Sequence, residues 1–171
     1  MLKKIQIKLL LPIGFFCIFN FSLLGQGNKI DSLKKNLRIS KADTNKVNIL
    51  NDLGWELMYQ NPDTAIILSH QALVIASGRS LSTQGKRSLK WKKGMANSFG
   101  QLGAYNYIKA NYPEAMKYYF KALKIDVERE NKNGIARHLG NIGNIYREQG
   151  NYSTALDYSF KALKTFEEID N

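Results

Sequence analysis

Apolar residues recur along this chain at steps of three and four, the spacing of one helix face, with polar residues between them. Near the C-terminus Ala155, Tyr158, Ala162, Leu163, Phe166 and Ile169 form such a stripe, while Asp157, Lys161, Lys164 and Glu168 take the other side. Leu139, Ile142, Gly143 and Tyr146 draw a similar stripe on a preceding helix. Between the two lies Gln149-Gly150-Asn151: glycine suits the left-handed residue that ends a helix, and asparagine caps the next. The same punctuation appears at Asn111-Tyr112-Pro113-Glu114, with Glu114 at the capping-box position. It appears again at Asn61-Pro62-Asp63-Thr64, where proline takes the first helical position and sacrifices no bond. Ile30, Leu33 and Leu37 predict a short helix over residues 28–39, and Asp43 or Thr44 is placed to cap the helix after it.

These stripes repeat. Residues 94–124 align without a gap on residues 134–164, with identities at Gly94/Gly134, Gly100/Gly140, Gly103/Gly143, Asn111/Asn151, Tyr112/Tyr152 and Ala115/Ala155, then through Phe-Lys-Ala-Leu-Lys. An alanine follows the cap by four in three units (Ala65, Ala115, Ala155), and another follows seven later (Ala72, Ala122, Ala162). Small residues there let two helices approach closely. The constant offset from Gly94 to Gly134 and from Ala122 to Ala162 marks a solenoid whose units bury their apolar faces on one another.

The spacing Leu-x-x-Gly-x-x-Tyr, then Ala, then Ala resembles a tetratricopeptide repeat. It is carried by Leu139, Ile142, Gly143, Tyr146, Ala155 and Ala162 in the third unit, and by Phe99, Leu102, Gly103, Ala115 and Ala122 in the second, where Asn106 replaces the tyrosine. Leu50, Leu53, Gly54, Leu57, Ala65 and Ala72 carry it in the first. The resemblance implies an all-α fold: a right-handed α-solenoid of antiparallel helix hairpins, three repeats plus a short N-terminal helix. The period here is longer than the one usual in the family. The extra length is expected in the second helices and in the Lys132-Asn133-Gly134 type of connection between units.

The chain then divides into a leader (1–25), a short helix and linker (26–42), repeat one (43–77), an insertion (78–93), repeat two (94–131) and repeat three (132–171). Lys3, Lys4 and Lys8 followed by an apolar run and Gly25 read as a secretory signal peptide, with an uncleaved membrane anchor as the alternative. The protein is therefore expected to be exported, periplasmic or extracellular. Its one cysteine, Cys17, falls in the leader, which leaves the rest without disulfide or thiolate metal chemistry. Ten extra residues separate repeats one and two; Gly78, Ser80, Ser82, Thr83, Gly85 and Ser88 predict a loop, with Leu81, Leu89 and Trp91 packing part of it back. The sequence ends as a further repeat would begin. It is expected to continue into a longer protein or, if complete, to self-associate through its last helix.

Charge changes this picture locally. The net charge is +11, and between Asp63 and Glu114 no acidic residue occurs, while Arg79, Lys86, Arg87, Lys90, Lys92, Lys93 and Lys109 do. A solvated loop beside a helix end accounts for the run more simply than nucleic acid, which is not expected as a partner. Catalytic chemistry has little to stand on. His70 and His138 have no carboxylate at ligand spacing, and Glu167-Glu168 diverge on a helix. The Gly-x-x-Gly pairs at Gly100/Gly103 and Gly140/Gly143 lie within helices and lack a following Lys-Ser/Thr. No enzyme, metal or cofactor is expected.

What remains is a binding surface. In tetratricopeptide arrays the first helix of each pair lines a concave groove that takes extended peptides. The resemblance places Asn48, Asn51, Asp52, Trp55, Met58 and Tyr59 there from repeat one, Asn97, Gln101 and Tyr107 from repeat two, and Arg137, Asn141, Asn144 and Arg147 from repeat three. Amides bond a peptide backbone through donor and acceptor, aromatics anchor apolar side chains, and Arg137 or Arg147 can hold a carboxylate. The family's carboxylate clamp uses two lysines, two asparagines and an arginine; here those positions carry Asn51, Trp55, Gln101, Arg137 and Asn141, and only Arg137 is cationic. The leading expectation is a non-catalytic scaffold for a protein or peptide partner, the sensory part of a longer histidine-kinase-type regulator. The alternatives are a secreted adaptor that oligomerises through its last helix and a binder of anionic surfaces through residues 79–93. Membrane contact is otherwise expected only through the leader or a downstream segment.

Overall fold

The computed structural model describes residues 27–82 and 84–170. The proposed leader and Cys17 lie outside the described residues. Every regular element among the described residues is a helix: α1 (27–39), α2 (Thr44–Leu57), α3 (Pro62–Leu81), α4 (Gly85–Ile108), α5 (Tyr112–Glu128), α6 (Lys132–Glu148) and α7 (Tyr152–Asp170). From α2 onward each helix packs against the next, and α2 also reaches α4. The architecture is a tetratricopeptide-like α-solenoid.

The recurring small residues sit where the helices meet. Ala65, Ala72, Ala115 and Ala122 are fully buried, and Ala155 and Ala162 nearly so. A Cβ placed on Gly103 would stand 2.7 Å from the Tyr119 ring, and one on Gly94 would stand 2.5 Å from Val47. Both distances are shorter than real contacts, so α4 approaches α5 and α2 as closely as it does only because these positions lack a side chain. Between the alanines and glycines, larger groups fill the layers. Val47, Leu50, Leu53, Leu68 and Trp91 form one cluster, joined by Ile30, Leu33 and Leu37 of α1. Met58, Leu102 and Tyr105 form the next, and Tyr119, Ile142 and Ile145 the third.

Three turns share one geometry. Ala110, Glu130 and Gly150 adopt positive φ (55°, 54° and 76°), each followed by an asparagine. In each turn the asparagine N–H bonds the carbonyl five residues back: Asn111 to Asn106, Asn131 to Asp126, Asn151 to Tyr146. The glycine expected to be left-handed is so, but alanine and glutamate hold the equivalent places. The caps divide. Asp43 accepts from the Asn45 and Lys46 N–H groups, Asn61 from Thr64 and Asn151 from Thr154. Asn111 does not cap α5 through its side chain, and Glu114 binds Lys117 instead of closing a capping box. The Asn111 amide is drawn to Asn106 Oδ1, and the Lys117 ammonium lies one turn from Glu114.

Two connections are shorter than expected. The insertion at 78–93 is not a loop: α3 runs to Leu81, α4 starts at Gly85, and only three residues join them. Against the 17-residue α5 and α6, α3 is longer by three and α4 by seven, which accounts for all ten extra residues. The serines and glycines are tolerated because helix pairing overrides their weak propensity. Only Trp91 packs back; Leu81 is 91% and Leu89 42% exposed. Lys132-Asn133-Gly134 likewise forms the first turn of α6, and α5 and α6 share the long period equally.

Candidate functional site

The first helices of the hairpins, α2, α4 and α6, present one side to a shared concavity of about 470 Å³. Helical spacing puts Asn97, Gln101, Ala104 and Ile108 of α4 on one stripe, flanked by Trp55, Met58 and Tyr59 from the end of α2. Arg137, His138 and Asn141 of α6 close the far side, and Tyr119 of α5 reaches the floor. Among the residues expected there, Trp55, Tyr59, Asn97, Gln101, Tyr107, Arg137 and Asn141 converge on the concavity. Asn48, Asn144 and Arg147 do not line it, and neither does Asn51.

Asn51 corrects its expected placement. It is 2% exposed, its amide donates to the Gly94 carbonyl (3.2 Å), and its Oδ1 accepts from Ser98 (2.9 Å). Gln101 Nε2 donates to the Asn51 carbonyl (2.8 Å) and Gln101 Oε1 accepts from Ser69 (2.9 Å). These amides tie α2, α3 and α4 together, so Asn51 serves the interior and Gln101 has little hydrogen-bonding capacity left for a ligand. Buried polar groups are costly unless paired, and this network meets that cost.

The free polar groups lie elsewhere. Asn97 and Asn141 are half-buried, and their amides have no hydrogen-bond partner among the described residues. Arg137 is exposed and forms no ion pair among them. Trp55 (53%) and Tyr59 (80%) expose large apolar surfaces at the opposite end. Tyr107 donates to Glu148 Oε1 (3.3 Å), which also takes Arg147 Nη2 (3.1 Å); Arg147 is thereby drawn out of the groove. Burial foremost, with the Glu148 carboxylate next, pushes the Tyr107 hydroxyl above its ordinary pKa.

Beneath the groove is a charged junction that spacing could not reveal. His138 is wholly buried, and its Nε2 lies 3.2 Å from Asp126 Oδ2. The carboxylate is contributed by α5, twelve residues upstream; the turn at Glu130-Asn131 brings the two together. Arg129 Nη1 (2.6 Å) and Asn131 Nδ2 (3.0 Å) donate to Asp126 Oδ1. Burial alone would raise the Asp126 pKa, but the close approach of the His138 ring, the hydrogen bond from Asn131 and the charge of Arg129 outweigh it, so the net shift is downward. His138 thus packs in the interior, and it does have a carboxylate beside it, brought from α5. A Cβ on Gly100 would stand 2.8 Å from its ring, so the histidine fits into a glycine notch on α4. No cluster of three or more metal-ligating side chains occurs among the described residues.

Gly140 and α7 differ from their counterparts one repeat earlier. A Cβ on Gly140 would meet nothing within 4 Å. Met116 and Leu123 of α5 pack in the third cluster, whereas their equivalents Leu156 and Leu163 are 56% and 52% exposed. Phe160 and Phe166 extend that bare apolar face.

Residues 94–168 match the tetratricopeptide repeat family. A solved structure titled "Crystal structure of MamA" is 24% identical over 82% of this chain and 88% of that one, with a TM-score of 0.40. A second, "Crystal structure of MamA protein", is 23% identical over 84% and 86%, with a TM-score of 0.39. No curated protein matches the chain.

Proposed function

Since residues 94–168 belong to the tetratricopeptide repeat family of protein-interaction scaffolds, we propose that this array holds an extended peptide segment of a partner protein in the α2–α4–α6 concavity. The observation that carries this reading is the pairing of free polar groups with bare aromatics in one concavity. Asn97, Asn141 and Arg137 lack internal partners among the described residues, and Trp55 and Tyr59 stand exposed beside them. An amide offers donor and acceptor to a peptide backbone whatever its sequence, and Arg137 adds a preference for an acidic side chain. An apolar side chain of the peptide packs on Trp55 and Tyr59.

In this reading the chain is exported and supplies the sensory part of a longer regulator of the histidine-kinase type. The basic and apolar pattern of residues 1–25 supports export.

A peptide-display screen tests the groove, with Trp55 as an internal reporter because the other tryptophan, Trp91, is buried. Selected peptides should shift Trp55 fluorescence. Asn141→Ala and Trp55→Ala should each weaken binding by about 1–2 kcal/mol, while Asn48→Ala outside the concavity leaves it unchanged. Peptides that bind all three variants equally would place the site elsewhere.

The exposed face of Leu156, Phe160, Leu163 and Phe166, with the open notch at Gly140, supports a second reading as an adaptor that self-associates through α7. Light scattering that finds a monomer at high concentration would remove it.

A further inference from the structure

The tip of the α3–α4 hairpin carries chemistry that the groove does not use. The run without acidic residues becomes a surface once α4 is helical: Lys86, Lys90 and Lys93 stand at i, i+4 and i+7, on one face, and all are exposed. Lys86 and Lys90 pair with no carboxylate among the described residues; Lys92, on another side of the helix, reaches Glu128 at 2.9 Å. Lys86 also occupies the wrong end of the helix. The first turn of α4 has no acidic residue and no side-chain cap, so Lys86 adds to the positive end of the macrodipole rather than offsets it. The arrangement costs stability and concentrates positive potential at the tip.

A second observation comes from α3, which is apolar on two opposite sides. Ala65, Leu68, Ala72 and Ala76 are buried inward, while Ile67 (56%), Val74 (70%) and Leu81 (91%) are exposed at intervals of seven, on one outward stripe. Leu81 is the last residue of α3, and Lys86 lies in the first turn of α4. Apolar and cationic groups therefore meet at the tip, which extends past the neighbouring hairpins because α4 is some two turns longer than α6.

We propose that the α3–α4 hairpin docks on an anionic lipid bilayer: Lys86, Lys90 and Lys93 engage the headgroups, and Leu81 and Val74 enter the interface. The charge alone would suit any polyanion. The outward leucine and valine select a bilayer, because a soluble polyanion offers them nothing to enter. No described helix is long and apolar enough to cross a membrane, so the contact is with the surface.

Partition of the full chain between buffer and vesicles tests this, comparing pure phosphatidylcholine with phosphatidylcholine mixed with phosphatidylglycerol. Residues 1–26, with Lys3, Lys4 and Lys8, contribute equally to the wild type and the variants, so the difference between them on anionic vesicles reads the α3–α4 surface. The wild-type chain should prefer the anionic vesicles, and high salt should erase the preference. Lys86→Glu, Lys90→Glu and Lys93→Glu together should lower anionic partition by roughly a hundred-fold. Circular dichroism of this variant separates loss of binding from unfolding, since Lys93 also neighbours Asp52. Leu81→Ser with Val74→Ser should weaken vesicle binding about ten-fold and leave heparin binding unaffected. Unchanged partition in either variant overturns the proposal, as does binding to heparin with none to anionic vesicles.

Discussion

Glutamate 130 sits in a backbone conformation that disfavours it, and replacing it should make the protein more stable. Its φ is 54°, and the equivalent turn one helix later has Gly150 at φ 76°. A non-glycine residue in the left-handed region costs about 1–2 kcal/mol through the clash of its Cβ with the backbone. Against this, glycine loses more chain entropy on folding, about 0.5–1 kcal/mol. Glu130 is exposed and has no ion pair or side-chain hydrogen bond among the described residues, so its removal forfeits no contact. The turn's hydrogen bonds, Glu130 N–H to Val127 and Asn131 N–H to Asp126, are backbone bonds that glycine preserves. Glu130→Gly should therefore stabilise by about 0.5–1 kcal/mol. Gly150→Ala should destabilise by a similar amount, and Ala110→Gly should behave like Glu130→Gly. Urea unfolding followed by circular dichroism reads the change as a shift in midpoint at constant slope, and thermal unfolding as about 2–4 °C per kcal/mol. If Glu130→Gly lowers the midpoint while Gly150→Ala leaves it unchanged, the strain argument is wrong and the side chain at 130 has a stabilising role.

Other expectations follow from single contacts. Gly100→Ala should destabilise by about 1–3 kcal/mol because a Cβ would press on the His138 ring, whereas Gly140→Ala, at the equivalent place with nothing within 4 Å, should stabilise by about 0.5–1 kcal/mol; urea midpoints of the pair decide it. Asp126→Asn should cost about 3 kcal/mol at neutral pH by leaving Arg129 and His138 without their carboxylate. The Asp126 pKa is depressed in the folded state, so its contribution is present above the unfolded value of about 3.9 and is lost as pH falls through the folded value; the variant's stability should decline less steeply below about pH 4. Asn51→Leu should lower stability by about 2 kcal/mol without selectively weakening peptides that bind the groove, since its amide serves Gly94 and Ser98.

The helices and their pairing are legible in the sequence because they rest on local signals repeated three times. The alanines at 65, 115 and 155 and the glycine at 103 can be placed at helix contacts from spacing alone, and they lie there. The insertion reads as a loop because serine, glycine and threonine mark loops in isolation, yet antiparallel packing over Ala76 and Trp91 keeps that stretch helical. Groove residues are harder to assign. Helical phase gives the face of α2 but not its depth, so exposed Trp55 and buried Asn51, one turn apart, read alike. The Asp126–His138 contact joins two helices across a turn, and neither residue carries a local mark of the other.

From α4 onward the left-handed turn follows each helix that leads into another, at Ala110, Glu130 and Gly150, while the division between groove helix and outer helix recurs only with every second one. Copying a pair of helices would thus lengthen the molecule with every side chain keeping its environment. Copying a single helix and its turn would set a groove helix in the outer layer and reverse which residues meet water. Such a protein grows by whole hairpins, and the α3–α4 tip gives it a second way to vary: the facing arms of two successive hairpins lengthen, and the other helices stay as they are.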